Sequence, residues 1–149
     1  MAPYTIPFII DGEERFAKET YEVKSPETGE VVTLCGAATV SDANAAVEAA
    51  AAAAASWRDT SNSTRRDIFL RAADIMDKKR EELGRYLEEE TGQPHGWSEF
   101  NLNNGIDMVK DAAGRISTLG GYVPRPANPE TNAMIWQEPY GVVFAIAPW

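Results

Sequence analysis

The chain has 149 residues, of which 44% are apolar, and this is enough for one domain that buries roughly 70% of the surface exposed by the unfolded chain. Its 23 acidic and 14 basic residues give a net charge of −9, which argues against a nucleic-acid partner because phosphates would be repelled. No apolar stretch approaches the roughly 20 residues that span a bilayer, and residues 1–10 lack the pattern of a signal peptide. We therefore expect a cytoplasmic protein with no membrane partner.

Residues 1–38 are predicted to be rich in short strands. Asp11-Gly12 is the dipeptide that best tolerates the positive φ angles of a tight hairpin. Pro26 and Gly29 supply the special backbone angles of a second turn. The strands expected around these two turns are residues 8–10, 15–16, 21–23 and 31–35.

Residues 39–122 are predicted to form three helices. The first begins with a capping box between Thr39 and Asp42 and runs to about Trp57. It contains seven consecutive alanines at residues 49–55, whose small side chains favour close packing; disorder of this low-complexity stretch is the alternative.

The second and third helices are predicted from apolar residues spaced by about 3.6 positions. The second begins at Ser61 and is stopped by Gly92 and Pro94; the third runs from about Ser98 to Gly120-Gly121. The inward side chains expected in the second helix are Ile68, Ala72, Ile75 or Met76, Leu83 and Leu87. Those expected in the third helix are Leu102, Ile106, Val109, Ala113, Ile116 and Leu119.

The last part of the chain is predicted to return to β structure. After a Pro-rich connection, residues 132–137 form one expected strand and residues 142–147 another. Every position of the second strand is apolar, which is typical of a parallel sheet covered by helices on both faces. No crossover helix or neighbouring parallel strand follows it in these 149 residues. Insertion between the earlier strands, in a small antiparallel sheet, is the alternative.

No residue is assigned a catalytic role from these patterns. Cys35 is the one strong nucleophile, but it lies in a predicted strand with no nearby histidine or cation, so a small buried apolar role is favoured. His95 is expected to be solvated in a loop. Residues 88–90 are three glutamates, but adjacent side chains on a helix diverge and do not converge on one substrate atom. One cysteine and one histidine cannot form a disulfide or a typical zinc site, and neither common phosphate-binding glycine motif occurs.

The order of the motifs resembles the N-terminal third of the NAD(P)-dependent aldehyde dehydrogenase superfamily, from Phe8 to Trp149. The most specific of them is EPYGVVFAIAPW at residues 138–149. The sequence as a whole most resembles members that act on aromatic aldehydes such as salicylaldehyde or vanillin. Weaker motifs in the same order are FIIDGE at residues 8–13, SPETGEVV at 25–32, WR at 57–58, RAADI at 71–75 and ETGQ at 90–93.

The resemblance implies oxidation of an aldehyde to a carboxylic acid with NAD or NADP as cofactor. A cysteine thiolate attacks the aldehyde, hydride passes to the nicotinamide, and a glutamate activates the hydrolytic water. The oxyanion is held partly by an asparagine that directly follows the Pro-Trp pair matched by Pro148-Trp149. Cys35 matches none of these residues. The chain alone is therefore expected to be inactive and to bind the cofactor weakly or not at all.

The resemblance assigns a few residues to sites. Ile146, Ala147, Pro148 and Trp149 are expected to line the nicotinamide side of the cofactor cleft. A monovalent cation is expected at the backbone carbonyls of Val23 and Lys24 and at the side chain of Glu90, although the family usually has aspartate there. No other metal site is expected.

The fold class expected is therefore α/β, as a single incomplete domain spanning residues 1–149. It comprises short β-hairpins, three helices, a strand at 132–137 of the type that forms the family's oligomerisation sheet, and the first strand of a parallel nucleotide-binding sheet at 142–149. The expected partners are an aldehyde in the complete enzyme and a second copy or a full-length homologue. A non-catalytic module that pairs with a full-length homologue through strand edges, and a free-standing dinucleotide-binding domain, are the alternatives.

Overall fold

Five short strands in two small sheets make up the first part of the structure, a computed structural model that describes residues 3–147. β2 and β3 form an antiparallel hairpin, and β1, β5 and β4 form a three-stranded sheet in that order. The strands are β1 (Tyr4–Ile6), β2 (Phe8–Ile10), β3 (Glu13–Arg15), β4 (Thr20–Lys24) and β5 (Val31–Gly36).

Both predicted turns are confirmed. Asp11 and Gly12 have φ values of 57° and 76° and close the β2–β3 hairpin, in which Ile10 pairs with Glu13. Gly29 has a φ of 73° in the turn between β4 and β5. Positive φ at a glycine has no steric cost, so these positions fix the register of the strands on either side.

β1 was not expected from the sequence. It pairs in parallel with β5, with Tyr4 opposite Thr33 and Ile6 opposite Cys35. Only three residues long, it is separated from β2 by Pro7 alone, so its sequence pattern merges with that of the next strand. Its partner is distant in the chain, and local patterns carry no information about such pairing.

The first predicted helix is confirmed as α1 (Val40–Arg58). The Thr39 hydroxyl accepts from the Asp42 backbone N–H at 3.2 Å, and the Asp42 carboxylate accepts from the Thr39 N–H at 2.8 Å. The Thr39 hydroxyl also donates to the Asp42 carboxylate at 2.7 Å, and this hydrogen bond, followed by that of the Thr39 N–H, lowers the pKa of the Asp42 carboxyl. No residue of α1 is buried, and its main neighbour within the described chain is β2.

The second predicted helix is two helices, so three predicted helices become four. The Ser61 cap is confirmed, but α2 (Asn62–Lys78) and α3 (Arg80–Thr91) are separated at Lys79, where ψ is 15°. Arg80 bonds Asp77 on one side of the break, at 2.7 Å, and Glu99 of the next helix at 2.9 Å. The sequence has no glycine or proline at this break. The break is stabilised instead by the ion pairs of Arg80, one of which reaches Glu99, a residue distant in sequence.

The last helix, α4 (His95–Ile116), is longer at its start and shorter at its end than predicted. Pro94 is its N-cap, so His95 lies in its first turn and not in a loop. Leu102, Ile106 and Ala113 are buried as expected, whereas Leu119 lies beyond the helix and is exposed.

The core lies where α2 and α3 pack on α4. Its α2 contribution is Ala73, which is fully buried, and not the predicted Ala72, which is exposed. Met76, another residue of α2 expected inward, is half-buried and lies beside Gly105 of α4.

The two C-terminal strands predicted at 132–137 and 142–147 do not form in the described residues. Near the first, an isolated bridge joins Tyr122 and Ile135, with N–O distances of 2.9 and 3.1 Å. Residues 142–147 pair with no strand, so the antiparallel insertion is also not observed. Val143, Phe144 and Ile146 are 74%, 85% and 80% exposed. A strand needs a partner for its backbone groups, and this part of the chain supplies none.

None of the helices that the structure describes has the length and apolarity required to cross a membrane.

Candidate functional site

The turn between β4 and β5 meets the connection between α3 and α4 at a contact that we name the Glu90 junction, formed by Pro26, Thr33, Glu90 and Gly92. The hydroxyl of Thr33, which is buried in the central strand, donates to Glu90 Oε1 at 3.2 Å. Gly92 ends α3 with a φ of 68°, and a Cβ on it would lie 2.8 Å from Pro26. The junction therefore holds the end of α3 against the sheet.

The three glutamates at the end of α3 point to different partners, as predicted. Glu88 bonds His95 Nδ1 at 2.9 Å, Glu89 lies 3.8 Å from Arg85, and Glu90 accepts from Thr33. The Glu88 carboxylate raises the pKa of His95. Because the carboxylates diverge, they form no acid–base pair for catalysis.

The predicted cation site involves the same junction. Val23 pairs with Thr33 across β4 and β5, and the hydroxyl of Thr33 donates to Glu90. A bulge follows at Val23/Lys24, and the Lys24 ammonium lies 3.2 Å from Glu22. In the described residues, no group of three or more His, Cys, Asp or Glu side chains could hold a metal ion.

A buried polar network fixes the start of α4 beside the junction. Ser98 is fully buried, and its hydroxyl accepts from Gln93 Nε2 at 3.1 Å. Asn101 donates to Gln93 Oε1 at 3.3 Å. Gln93, in the connection between α3 and α4, thus bonds α4 through both the nitrogen and the oxygen of its side-chain amide. The bond to Ser98 provides a partner for a hydroxyl that would otherwise be costly to bury.

Cys35 lies in the middle of the three-stranded sheet and has no catalytic base. It is half-buried in β5, with Ile6 opposite it on one side and Tyr21 on the other. Electrostatic interaction with Cys35, followed by a hydrogen bond with its sulfur, raises the pKa of the Tyr21 hydroxyl. Tyr21 therefore stays protonated near neutral pH and cannot take a proton from the thiol.

The predicted cofactor residues lie at the end of the apolar segment 139–147. Ile146 and Ala147 are exposed, and Pro148 and Trp149 lie outside the described residues. Residues 139–143 line a groove of about 530 Å³ together with the C-terminal half of α1. At the end of this groove the Arg65 guanidinium lies 5.4 Å from the Trp57 ring centre and donates to the carbonyls of Trp57 and Arg58 at 2.7 and 2.8 Å.

Ile146 and Ala147 do not by themselves fit a whole dinucleotide. They offer apolar contact only, whereas the phosphates of NAD(P) need backbone or side-chain donors such as those at a helix N-terminus. The segment 139–147 contains no charged side chain.

A family model described as the aldehyde dehydrogenase family matches residues 13–149. The chain belongs to the aldehyde dehydrogenase family. Vanillin dehydrogenase of a Pseudomonas species is 38% identical over 148 residues, which are 98% of this chain and 31% of that protein. Salicylaldehyde dehydrogenase of Pseudomonas putida is 30% identical over 132 residues, which are 89% of this chain and 27% of that protein.

Solved structures of aldehyde dehydrogenases contain the same fold. Salicylaldehyde dehydrogenase from Pseudomonas putida, crystallised with salicylaldehyde, matches 92% of this chain and 28% of its own with a TM-score of 0.84 and 29% identity. Lactaldehyde dehydrogenase from Escherichia coli matches 91% of this chain and 29% of its own with a TM-score of 0.85 and 20% identity. The chain thus spans about 30% of the length of the relatives that it matches.

Sequence reasoning missed Thr33, which holds Glu90 in place. Thr33 is a polar residue inside the apolar stretch VVTLC at residues 31–35, and it is 4% exposed. A buried hydroxyl needs a hydrogen-bond partner, so this pattern could have indicated a polar contact. The identity of the partner, 57 residues away, could not be read from it.

Proposed function

We propose that this chain is the N-terminal part of an aldehyde dehydrogenase that oxidises an aromatic aldehyde to the carboxylic acid with NAD or NADP in the cytoplasm. The observation that carries this proposal is the 38% identity to vanillin dehydrogenase over 98% of the chain. The similarity to salicylaldehyde dehydrogenase, at 29% identity and a TM-score of 0.84, supports the aromatic class of substrate.

The role proposed for residues 146–149 is an apolar wall beside the nicotinamide. When bound, NAD(P) supplies the acceptor for the hydride of the aldehyde. Apolar side chains at Ile146 and Ala147 would exclude water from that side of the ring while offering no group to react with it. Pro148 and Trp149 are assigned to the same wall by the resemblance of residues 138–149 to the family.

The chain alone is proposed to be inactive, with no catalytic residue among its side chains. The 149-residue chain should give no NADH or NADPH absorbance with vanillin or salicylaldehyde, because Cys35 lacks a base and the segment 139–147 lacks phosphate ligands. A complete aldehyde dehydrogenase serves as the positive control. Turnover by the chain that disappears in Cys35→Ser and survives in Tyr21→Phe would overturn this part of the proposal.

The cation site at Val23, Lys24 and Glu90 is the second proposed site. Sodium or potassium chloride should raise the melting temperature relative to tetramethylammonium chloride at equal ionic strength. The expected stabilisation is about 1.4 kcal/mol at a cation concentration tenfold above Kd. Glu90→Gln should abolish the difference, whereas Glu89→Gln, one position earlier and bonded elsewhere, should leave it. An equal loss in both variants would show general charge screening instead.

An interaction module that pairs with a full-length homologue is the second candidate function. It is favoured by the outer strands β1 and β4, which are the edges of the three-stranded sheet in the described structure. Light scattering should then show self-association, or the chain should co-purify with a complete relative. A chain that stays monomeric and does not bind such a relative would exclude this candidate.

A further inference from the structure

Helix α3 has weak local signals for helix formation. α1 and α2 begin with side-chain caps at Thr39 and Ser61, whereas Lys79 gives α3 no side-chain cap. Gly84 lies inside α3, where glycine is less favourable than alanine. A helix of 12 residues is marginal in water even with a good sequence, so α3 depends on contacts outside itself.

The charges in the last turn of α3 also oppose its formation. The C-terminal end of a helix is the negative end of its dipole, which favours cations and disfavours carboxylates. Residues 88–90 place three glutamates there, and α3 has no basic residue in its last turn. Two glutamates in its first turn are favourably placed. The last turns of the other described helices each contain a basic residue, namely Arg58 in α1, Lys78 in α2 and Arg115 in α4.

Polar contacts at both ends hold α3 against its neighbours. At its start, Arg80 Nη1 donates to Glu99 Oε2 and to Asn103 Oδ1 of α4, both at 2.9 Å. At its end, Glu90 Oε1 accepts from the Thr33 hydroxyl of β5 at 3.2 Å. Arg80 and Glu90 are about 15 Å apart along the helix axis, because a helix rises about 1.5 Å per residue. These residues all lie within positions 33–103, so no other part of the chain is needed to form the contacts.

We propose that α3 is an order–disorder switch, which unfolds as one unit while α2 and α4 stay folded and which the contacts of Arg80 and Glu90 hold in the ordered state. Local unfolding of one element can cost less free energy than global unfolding, and segments that order and disorder are common in regulation. In the disordered state Glu90 leaves Thr33, so the Glu90 junction exists only while α3 is ordered. The proposal is independent of the substrate and of the cation in the proposed function.

Native-state hydrogen exchange of the 149-residue chain in low urea tests the switch. Amides of residues 84–91 should exchange on the order of tenfold faster than those of residues 102–113 in α4, and with a weaker dependence on urea, because less surface is exposed. Equal rates and equal urea dependence in the two helices would mean that α3 unfolds only together with the core, and would overturn the proposal.

Substitutions at the two ends test whether α3 behaves as one unit. Arg80→Gln and Thr33→Val each remove one end contact and should accelerate exchange throughout residues 84–91 on the order of tenfold. Arg85→Gln makes the same charge change inside α3 but loses only a 3.8 Å contact with Glu89, so exchange should change by less than about twofold. Acceleration confined to the substituted end, or equal acceleration by Arg85→Gln, would overturn the proposal.

Two neighbouring glutamates should give different results. Glu89→Gln removes a carboxylate from the last turn without breaking a contact to another element, so exchange should slow about two- to fivefold. Glu88→Gln also removes a carboxylate, but it weakens the 2.9 Å bond to His95 of α4, so exchange should be several times faster than in Glu89→Gln. Faster exchange in Glu89→Gln than in the unsubstituted chain, or equal exchange in the two variants, would overturn the proposal. Glu89→Gln and Thr33→Val decide in the same way if Arg80→Gln does not fold.

Discussion

The helical core and the pair formed by α1 with the segment 139–147 differ in what stabilises them. In the core, α2, α3 and α4 bury Ala73, Leu102 and Ile106 against one another. α1, with 19 residues, is longer than α2, with 17, and better capped, but none of its residues is buried. High intrinsic helix propensity and a complete capping box therefore suffice to form a helix, but they do not determine whether that helix packs into a core.

Mutation of the core should have the largest effect. Ile106 is 3% exposed, so Ile106→Ala should lower the free energy of unfolding by about 2 to 5 kcal/mol through lost burial and a residual cavity. Ile146→Ala, the same substitution at an 80% exposed position, should change it by less than about 0.5 kcal/mol. Urea unfolding followed by circular dichroism measures both. Equal losses would show that residues 142–147 are packed in the isolated chain.

Substitution of Gly121, which lies between α4 and the segment 139–147, should have an effect of intermediate size. A Cβ at this position would clash with the Ile135 carbonyl, which accepts from the Tyr122 N–H. Gly121→Ala should therefore break the Tyr122–Ile135 bridge, at a local cost of about 1 to 3 kcal/mol. Hydrogen exchange at Ile135 should accelerate, while exchange in α4 stays unchanged. Gly120→Ala, where a Cβ meets nothing, is the control.

Prediction from the sequence was accurate where the cause is local. The capping box of Thr39, the turn at Asp11-Gly12 and the buried stripe of Leu102, Ile106 and Ala113 all depend on residues within a few positions of one another. Of these features, the turn at Asp11-Gly12 also lies within a motif of the family resemblance, at residues 8–13.

Prediction failed where the cause is distant. The break at Lys79 depends on Arg80 reaching Glu99, and the position of Glu90 depends on Thr33. β1 depends on pairing with β5. The apolar pattern of residues 142–147 predicts a strand buried on both faces, but no strand forms there in the described residues, since a strand requires a partner for its backbone groups. Among the predicted site residues, Val23 is the strand partner of Thr33 and Glu90 accepts the hydrogen bond of Thr33, while the site roles of Val23, Glu90, Ile146 and Ala147 stay predictions.

The capping box offers a smaller effect that should stay confined to α1. Thr39→Ala removes the acceptor for the Asp42 N–H and should cost the helix about 1 kcal/mol. Because α1 contributes no buried residue, this loss should appear as faster amide exchange in its first turns and not as an equal shift of the urea midpoint. Ser61→Ala, at the cap of a helix that packs into the core, should shift the midpoint. Equal midpoint shifts would mean that α1 unfolds together with the core.

The smallest expected effect is the pH dependence at the start of α4. The Glu88 carboxylate, and more weakly that of Glu99, raise the pKa of His95 above its usual value of about 6.5. A raised folded-state pKa means that the folded chain binds the proton more tightly than the unfolded chain. The resulting stabilisation is complete below pH about 6.5 and is lost as the pH rises through the raised value.

His95 is the only histidine, so its ring protons give an unambiguous NMR titration. The midpoint should lie above that of an unfolded peptide, and Glu88→Gln should bring it down, because the first cause of the shift is the hydrogen bond at 2.9 Å. Glu89→Gln, whose carboxylate faces Arg85, should leave the midpoint in place. A midpoint insensitive to Glu88→Gln would mean that the pair is not formed in solution, and the start of α4 would then be held by the Gln93–Ser98 bond without help from His95.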